Sequence, residues 1–274
     1  MKQDYKRLPL RKFADRLLRS GDLDPIYIML YDSGMKKNRL KRWLLAYWMF
    51  YHAGVSSVLC GAEFEGFFDM ATHLASVSTT PRGTERRHFR GQKALDSIKW
   101  LKEHFDGPEH AVDWASRGET VERVIKRMRY WPQFGPWIGF KAADMIDRVL
   151  GIPIKFSISD LNFYDTPVAG AKLFCKKQDL PFERLKLAGV VKLLQVELKH
   201  YKAPPDYRRP VGIQEIETIL CKWKSHMTGH YPLGKDTTEI MEGLGGWGVQ
   251  AERLRDFLPK EKHGLEIVKK SDSE

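Results

Sequence analysis

The segment at residues 79–91 has the most unusual composition in the chain, because four arginines and one histidine fall within nine residues. These basic residues alternate with Gly and Thr just before a predicted helix, and they are Arg82, Arg86, Arg87, His88 and Arg90. An arginine fork can bond two phosphate oxygens at once, and the start of a helix adds partial positive charge. The segment therefore predicts either a basic face that grips a DNA backbone without chemistry, or a pocket for a catalytic phosphate or pyrophosphate.

A second group of polar side chains falls on residues 157–167, which read SISDLNFYDTP. A base that is flipped out of a duplex needs hydrogen-bonding groups on its Watson–Crick edge and an aromatic ring to stack on. Asp160, Asn162, Tyr164 and Asp165 could provide both. The same residue types are common turn formers, so an ordinary loop is an equally good interpretation.

A third group lies at residues 221–236, which read CKWKSHMTGHYPLGKD. Cys221, His226 and His230 have a spacing that could suggest zinc, but a fourth ligand is missing, so we predict no metal. The pieces around His226, Lys235 and Asp236 are more typical of loops that bind a ligand.

Residues 120–150 have the pattern of two helices joined by a hairpin. Thr120 can cap the first helix, Pro132 ends it after Tyr130 or Trp131, and Pro136 suits the first position of the second helix. Such a hairpin presents the N–H groups of a helix start to a phosphate, whatever the base sequence. We predict that DNA contacts it, although an ordinary corner between two helices would have the same pattern. The predicted DNA-binding positions are Gln133, Gly135, Trp137 and Gly139, and a weaker second hairpin at residues 243–251 adds Gly246 and Gly248.

Helical periodicity in nearly every segment predicts an all-α fold. Besides the hairpin, the predicted helices cover residues 8–19, 36–60, 64–77, 91–104, 109–116 and 182–201, with two or three more in about 211–258. The chain is predicted to be irregular from residue 151 through 170, and residues 202–205 are the best linker candidate. We expect residues 1–259 to form one helical domain in two lobes with a cleft, and residues 260–274 to form a charged, mobile tail.

The charge balance favours a polyanionic partner, since 46 Lys and Arg against 35 Asp and Glu give a net charge of +11. A basic enzyme with no nucleic-acid partner is the alternative. The three cysteines are far apart and form no Cys-x-x-Cys pair, which excludes a disulfide framework and favours a reducing cytoplasm. The chain has no apolar run of the length of a membrane span and no signal peptide, so we predict no membrane partner.

Four motifs together carry a family resemblance: ERRHFRG at residues 85–91, WPQFGPW at 131–137, the polar loop that follows, and SHxTGxYPxGKD at 225–236. Over about residues 35–255 the chain resembles the bacteriophage α-glutamyl/putrescinyl thymine pyrophosphorylases, also described as amino acid:DNA transferases. The resemblance implies a helix-hairpin-helix, DNA glycosylase-like fold. It also implies double-stranded DNA that carries 5-pyrophosphoryloxymethyl-uracil, whose pyrophosphate is replaced by an amino acid or a polyamine. We expect no cofactor, a monomer, and action in the cytoplasm of an infected host.

The resemblance suggests roles for the residues singled out above. The four arginines and His88 would bind the pyrophosphate and stabilise its charge as it leaves. A carboxylate would hold or deprotonate the attacking amine, and the catalytic candidates are Asp160, Asp144, Lys141 and Asp165. The base and amine pocket would include Asn162, Tyr164, His226, Lys235 and Asp236.

Two positions depart from the glycosylase pattern. Trp137 stands where glycosylases with lyase activity carry a lysine, and Lys155 stands at the usual distance of their catalytic aspartate. Simple base excision therefore fits less well than transfer. A glycosylase that excises a base and a non-catalytic, structure-specific DNA-binding protein are the two alternatives.

Overall fold

The structure is a computed structural model that describes residues 5–61, 66–163 and 165–260. Within these ranges the chain forms fourteen α-helices and two isolated β-bridges but no β-strand, so the predicted all-α class is confirmed. The helices are α1 (Leu10–Arg19), α2 (Pro25–Asp32), α3 (Lys37–Phe50), α4 (Ala53–Gly61), α5 (Phe67–Ser76), α6 (Gly91–His104), α7 (Pro108–Ser116), α8 (Val121–Met128), α9 (Pro136–Arg148), α10 (Asp165–Lys177), α11 (Phe182–Leu198), α12 (Ile213–Met227), α13 (Lys235–Gly243) and α14 (Val249–Leu254). Short 3-10 turns lie at Thr84–Arg86, Ile158–Phe163 and Arg255–Phe257.

The chain divides into two compact units. The hairpin unit consists of Ile26–Phe156 and Glu239–Leu258, and it contains α3 to α9 and α14. Among the described residues, the α12 unit consists of 5–25, 157–163, 165–238 and 259–260, and it contains α1, α10, α11 and α12.

The hairpin unit is built around α3 and α4, which pack against each other. One helix was predicted across residues 36–60, and this is wrong, because Tyr51 adopts a left-handed backbone with φ of +51° and ends α3. His52 then caps α4, since its Nδ1 accepts a hydrogen bond from the N–H of Val55 at 3.3 Å. Both helices are buried, so the apolar pattern continues through the break and hides it. The largest buried side chains of α3 are Trp43, Trp48 and Phe50.

The α12 unit has α12 at its centre, with α1, α10 and α11 packed on it. Helix α10 was not predicted, because Pro167 and Gly170 are poor helix formers. Pro167 lies in the first turn, where its missing N–H does no harm. Gly170 allows α10 to approach α12, since a Cβ at this position would lie 2.5 Å from the carbonyl oxygen of Leu220.

The described part of the chain contains no helix that is both long and apolar enough to cross a membrane. The predicted mobile tail lies outside the described residues, apart from Lys260.

Candidate DNA-binding and active-site residues

The predicted hairpin is present as α8 and α9, which pack against each other and are joined by residues 129–135. The Oγ1 of Thr120 accepts a hydrogen bond from the N–H of Arg123 at 3.3 Å, so the predicted cap of α8 is confirmed. Pro136 begins α9, also as predicted. Helix α8 ends at Met128, slightly earlier than the position of Pro132 suggested.

The hairpin turn points two successive carbonyl groups into the protein. Ser97 Oγ donates to the carbonyl oxygen of Pro132 at 2.6 Å, and Arg86 Nη1 donates to that of Gln133 at 2.6 Å. Gln133 has a φ of +67°, in the left-handed region that glycine adopts most readily. Glycine would therefore adopt this backbone with less strain than Gln133 does.

The two hairpin glycines serve different purposes. Gly135 precedes α9 with an ordinary φ of −81°, and a Cβ there would meet no atom within 4 Å. Neither backbone strain nor packing therefore requires glycine at position 135. Gly139 is buried between α8 and α9, where a Cβ would lie 3.0 Å from Cγ1 and 3.1 Å from Cα of Ile125. Gly139 is thus needed for helix packing, and its contact with DNA stays a prediction.

The two positions that depart from the glycosylase pattern carry no catalytic group of that kind. Trp137 is half-buried, and its ring packs edge-on against Tyr51 with centroids 5.2 Å apart. Lys155 is exposed, and its main chain forms a bridge beside the start of α8 through hydrogen bonds with Glu119 and Val121.

Two residues of the arginine segment point inward. Arg82 donates to the carbonyl oxygens of Phe89, Thr80 and Ala75. Arg86 is only 7% exposed, and burial lowers its pKa to about 9. Both guanidinium groups therefore donate to main-chain carbonyl groups of the protein, and their predicted role in binding pyrophosphate has no direct support in this geometry.

The other basic residues of the segment face solvent. The side chains of Arg87, His88 and Arg90 are exposed. Among the described residues, the one hydrogen-bond acceptor found for the Arg87 guanidinium is the nearby carbonyl oxygen of Thr84, 3.1 Å from Nη1. Burial, together with the nearby charge of Arg90, lowers the pKa of Arg82. The exposed part of the cluster can reach a phosphate, so the prediction that it binds pyrophosphate rests on these three side chains.

Asp144 and Lys141 lie on α9. Asp144 is 1% exposed, and its Oδ2 accepts a hydrogen bond from the hydroxyl of Tyr27 at 2.8 Å. Arg148 Nη1 lies 3.6 Å from the same oxygen, and the Arg148 guanidinium lies 4.5 Å from the centroid of the Tyr27 ring. Lys141 is half-buried, with its ammonium 5.9 Å from the ring of Phe140. Asp144 therefore balances a buried arginine, and a role for it or Lys141 in the reaction stays a prediction.

Asp160 and Asp165 lie at the start of the α12 unit's second segment. Asp160 is 7% exposed, and its Oδ2 accepts a hydrogen bond from the N–H of Ser157 at 2.7 Å, which closes the 3-10 turn. Asp165 is exposed in the first turn of α10. Tyr164 and the side chain of Asn162 lie outside the described residues.

Sequence reasoning missed Asp22, a buried carboxylate that accepts four hydrogen bonds. This residue is fully buried, and it accepts hydrogen bonds from the Tyr231 hydroxyl, the N–H of Gly234, and both the N–H and the hydroxyl of Thr237, at 2.8 to 3.0 Å. Burial, reinforced by nearby carboxylates, raises the pKa of Tyr231 well above its usual value. Much of the YPxGKD motif is therefore held in place by a carboxylate more than 200 positions away in the sequence. The residue types near the motif could not reveal this partner.

Lys235 and Asp236 also have partners within the unit. Lys235 Nζ donates to the carbonyl oxygen of His230 at 3.1 Å, and Asp236 pairs with Lys222 at 2.6 Å. Lys222 Nζ further donates to the carbonyl oxygens of Asp22 and Leu23. Binding of a base or an amine by Lys235 and Asp236 stays a prediction.

His226 is bonded inside the α12 unit, and its role in a base or amine pocket stays a prediction. It is 1% exposed, its Nε2 accepts a hydrogen bond from the N–H of Leu8, and its Nδ1 lies 2.9 Å from the carbonyl oxygen of Tyr231. Both ring nitrogens are thus used internally, with the proton on Nδ1, and burial lowers the pKa of the imidazole. No group of three or more His, Cys, Asp or Glu side chains that could hold a metal ion occurs among the described residues.

The second predicted hairpin joins α13 and α14. Gly246 and Gly248 have φ of +76° and +89°, so their backbone favours glycine regardless of any DNA contact. Between them, Trp247 packs on His52 with ring centroids 5.8 Å apart. The ring of Trp247 packs directly against the backbone of Gly54, and a Cβ at position 54 would overlap this ring. The turn is therefore fixed by packing, and its contact with DNA stays a prediction.

Comparison with known proteins assigns the chain to a family. The sequence profile described as amino acid:DNA transferase matches residues 9–230, a range that includes the arginine segment, the hairpin and the polar loop. A glycinyltransferase of Pseudomonas phage PaMx11 is 39% identical over 286 residues, which cover 94% of this chain and 97% of the relative. A putrescinyltransferase of Delftia phage PhiW-14 is 28% identical over 256 residues, which cover 90% of this chain and 82% of the relative. The predicted transferase class is thereby confirmed, and the chain belongs to the amino acid:DNA transferase family.

Proposed function

We propose that this protein replaces the pyrophosphate of 5-pyrophosphoryloxymethyl-uracil in double-stranded DNA with the amino group of glycine. The observation that carries the proposal is the 39% identity, over nearly the whole of both chains, to a phage glycinyltransferase. The new bond joins the amine nitrogen to the methylene carbon at position 5 of uracil. The carbon–oxygen bond breaks, pyrophosphate leaves, and the amine loses one proton.

The hairpin is the proposed anchor on the DNA backbone. The carbonyl groups of Pro132 and Gln133 are bonded to protein donors inside the unit. The first N–H groups of α9 have no partner within their own helix, and the helix dipole adds partial positive charge at that end. The open space above Gly135 leaves room for a phosphate oxygen to approach these groups.

The exposed basic residues are the proposed binding site of the leaving group. Negative charge grows on the pyrophosphate as the carbon–oxygen bond breaks, and guanidinium groups stabilise such charge best when they are already in place. Arg87 and Arg90 are exposed and can serve here, whereas Arg82 and Arg86 are occupied by main-chain carbonyl groups. Asp160 is the proposed acceptor of the amine proton. We further propose that the protein acts as a monomer in the cytoplasm of a phage-infected host.

Nucleoside analysis tests the proposal. Purified protein is incubated with duplex DNA that contains 5-pyrophosphoryloxymethyl-uracil and with isotopically labelled glycine, and the digested nucleosides are analysed by mass spectrometry. We expect a labelled thymine derivative and release of pyrophosphate, and no product from DNA that carries 5-hydroxymethyl-uracil alone. A product formed with putrescine but not with glycine would refute the choice of amine, and abasic sites would refute transfer itself.

A further inference from the structure

Arg86, in the arginine segment, is bonded both to the end of α3 and to the hairpin turn that belongs to the proposed DNA-binding surface. Its Nε donates to the carbonyl oxygen of Met49, at the end of α3, at 2.9 Å, and its Nη1 donates to that of Gln133, in the hairpin turn, at 2.6 Å. The guanidinium carbon lies 4.5 Å from the ring centroid of Phe89 and 4.9 Å from that of Phe134. One side chain of the arginine segment therefore reaches α3 and the hairpin turn together.

The environment of Arg86 favours a fixed cation. Although burial lowers its pKa to about 9, the group stays protonated at neutral pH. No carboxylate pairs with it among the described residues, so main-chain carbonyl groups and two aromatic faces stabilise its charge. Lysine could not replace it, because an ammonium group lacks the planar fork that reaches two acceptors along different directions.

The hydrogen bond to Gln133 orients the turn. In a trans peptide the carbonyl and N–H groups point in opposite directions. The inward carbonyl of Pro132, bonded to Ser97, therefore turns the N–H of Gln133 away from Ser97. The inward carbonyl of Gln133, bonded to Arg86, sets the chain direction just before Gly135 and the open end of α9.

The same side chain also anchors the loop that carries the exposed cations, because its Nε bonds the carbonyl oxygen of Met49. Arg86 ends the 3-10 turn Thr84–Arg86, and Arg87 follows it directly. Arg90 lies three residues further on, and both side chains are exposed. The carbonyl oxygen of Arg86 accepts a hydrogen bond from the N–H of Phe89 at 2.8 Å, which holds the backbone between the two exposed arginines.

We propose that Arg86 is a positioning residue that joins the exposed arginines and the hairpin N–H groups into one phosphate-binding surface for DNA. It does not touch the substrate, and its effect passes through the backbone of Gln133 and of its own loop. This inference rests on the proposed function, in that the hairpin must bind DNA.

The test compares Arg86→Lys with Arg11→Lys, a matched change at an exposed arginine of α1 that pairs with Glu197. Two quantities are measured for each variant: the Kd for pyrophosphorylated duplex DNA, and the single-turnover rate of transfer at saturating enzyme. We expect Arg86→Lys to weaken DNA binding by about tenfold or more, as for the loss of charge-assisted hydrogen bonds. The saturated rate should also fall, but by less than about 10²-fold, because Arg86 acts on the leaving group only through the positions of Arg87 and Arg90.

The coupling is tested by adding Arg90→Ala or Gly135→Ala to each background. In the Arg11→Lys background each second change should weaken DNA binding as it does in the wild-type protein. In the Arg86→Lys background each second change should weaken DNA binding little further, because the exposed arginines and the hairpin N–H groups are then already out of position. Unchanged effects in both backgrounds would overturn the proposal, as would a wild-type Kd for Arg86→Lys.

Two further outcomes are distinguished. A loss of about 10²-fold or more in the saturated rate of Arg86→Lys, with its Kd unchanged, would place Arg86 on the leaving pyrophosphate instead. If Arg86→Lys does not fold, as judged by thermal melting, Ser97→Ala replaces it. That variant removes only the hydrogen bond to Pro132 and should weaken DNA binding by roughly threefold, whereas an unchanged Kd would overturn the proposal. If the wild-type protein binds this DNA but transfers no amine, the proposed reaction fails while the Kd comparison still decides the role of Arg86.

Discussion

Replacement of each hairpin glycine by alanine should separate DNA binding from stability. At Gly139 the added methyl group would lie 3.0 Å from Cγ1 and 3.1 Å from Cα of Ile125. The second contact is with backbone, so relief requires α8 and α9 to move apart. At Gly135 the added methyl group would meet no protein atom within 4 Å. Gly66 precedes α5 with equally open space and serves as the control.

The magnitudes follow from these contacts. Overpacking of a core costs about 1–3 kcal/mol, whereas the better helix propensity of alanine returns up to about 1 kcal/mol. The net expectation for Gly139→Ala is a destabilisation of about 1–2 kcal/mol, or roughly 2–8 °C in Tm for a protein of this size. For Gly135→Ala, the poorer N-cap and the reduced freedom of the unfolded chain nearly cancel, so stability should change by less than about 0.5 kcal/mol.

DNA binding should show the opposite order. A methyl group at position 135 would separate a phosphate oxygen from the N–H groups at the start of α9. Loss of one hydrogen bond to a charged group weakens binding by about 1.5–3 kcal/mol, so we expect Gly135→Ala to raise the Kd by about tenfold or more. Gly66→Ala should bind DNA normally.

Urea unfolding, thermal melting and fluorescence anisotropy with labelled duplex DNA provide the measurements. If Gly135→Ala binds DNA as tightly as Gly66→Ala, no phosphate lies at the start of α9, and the hairpin is only a corner between helices. If Gly139→Ala is as stable as the wild type, the packing argument for that glycine is wrong.

Three other expectations can be checked on the same protein. Asp22→Ala leaves the buried donors of Tyr231, Gly234 and Thr237 without their acceptor. We therefore expect the free energy of unfolding, measured in urea, to fall by about 3–5 kcal/mol. A decrease below about 1 kcal/mol would refute the structural role of Asp22. Burial lowers the pKa of His226, so the unfolded chain, with an imidazole pKa of about 6.5, takes up the proton first. The stability should therefore be fully present above about pH 6.5 and fall below it, and the His226→Gln variant should lose part of this dependence in unfolding midpoints between pH 7.5 and 5.5. Exhaustive chelation should leave the transfer activity intact, and activity that zinc restores after chelation would contradict this expectation.

Much of the fold could be predicted because its signals are local. The predicted helix at residues 91–104 matches α6, and the cap at Thr120 and Pro136 at the start of α9 were read correctly. These features depend on the residue types of a few neighbouring positions. Helix α10 and the break at Tyr51 were missed, because close packing on Leu220 and a left-handed backbone leave no local signal.

The candidate site could be predicted only in part, for a related reason. The arginine segment was recognised from its composition, but composition cannot tell inward from outward side chains. Arg86 and Arg87 are adjacent, yet one donates to the carbonyl groups of Met49 and Gln133 while the other is exposed. Histidine is a residue type that often binds metals or substrates, but the Nε2 of His226 already accepts a hydrogen bond from the N–H of Leu8.

The sequence alone therefore determined the helical class, the hairpin and the family, since periodicity, caps and short motifs are properties of neighbouring residues. Only the tertiary structure decided which polar side chains form hydrogen bonds inside the protein and which remain exposed to a substrate. The four hydrogen bonds to Asp22 come from residues more than 200 positions away, and Arg86 meets Gln133 across 47 positions. A buried charge must find its partners wherever the fold brings them, so its role is determined by distances in space that the order of residues does not contain.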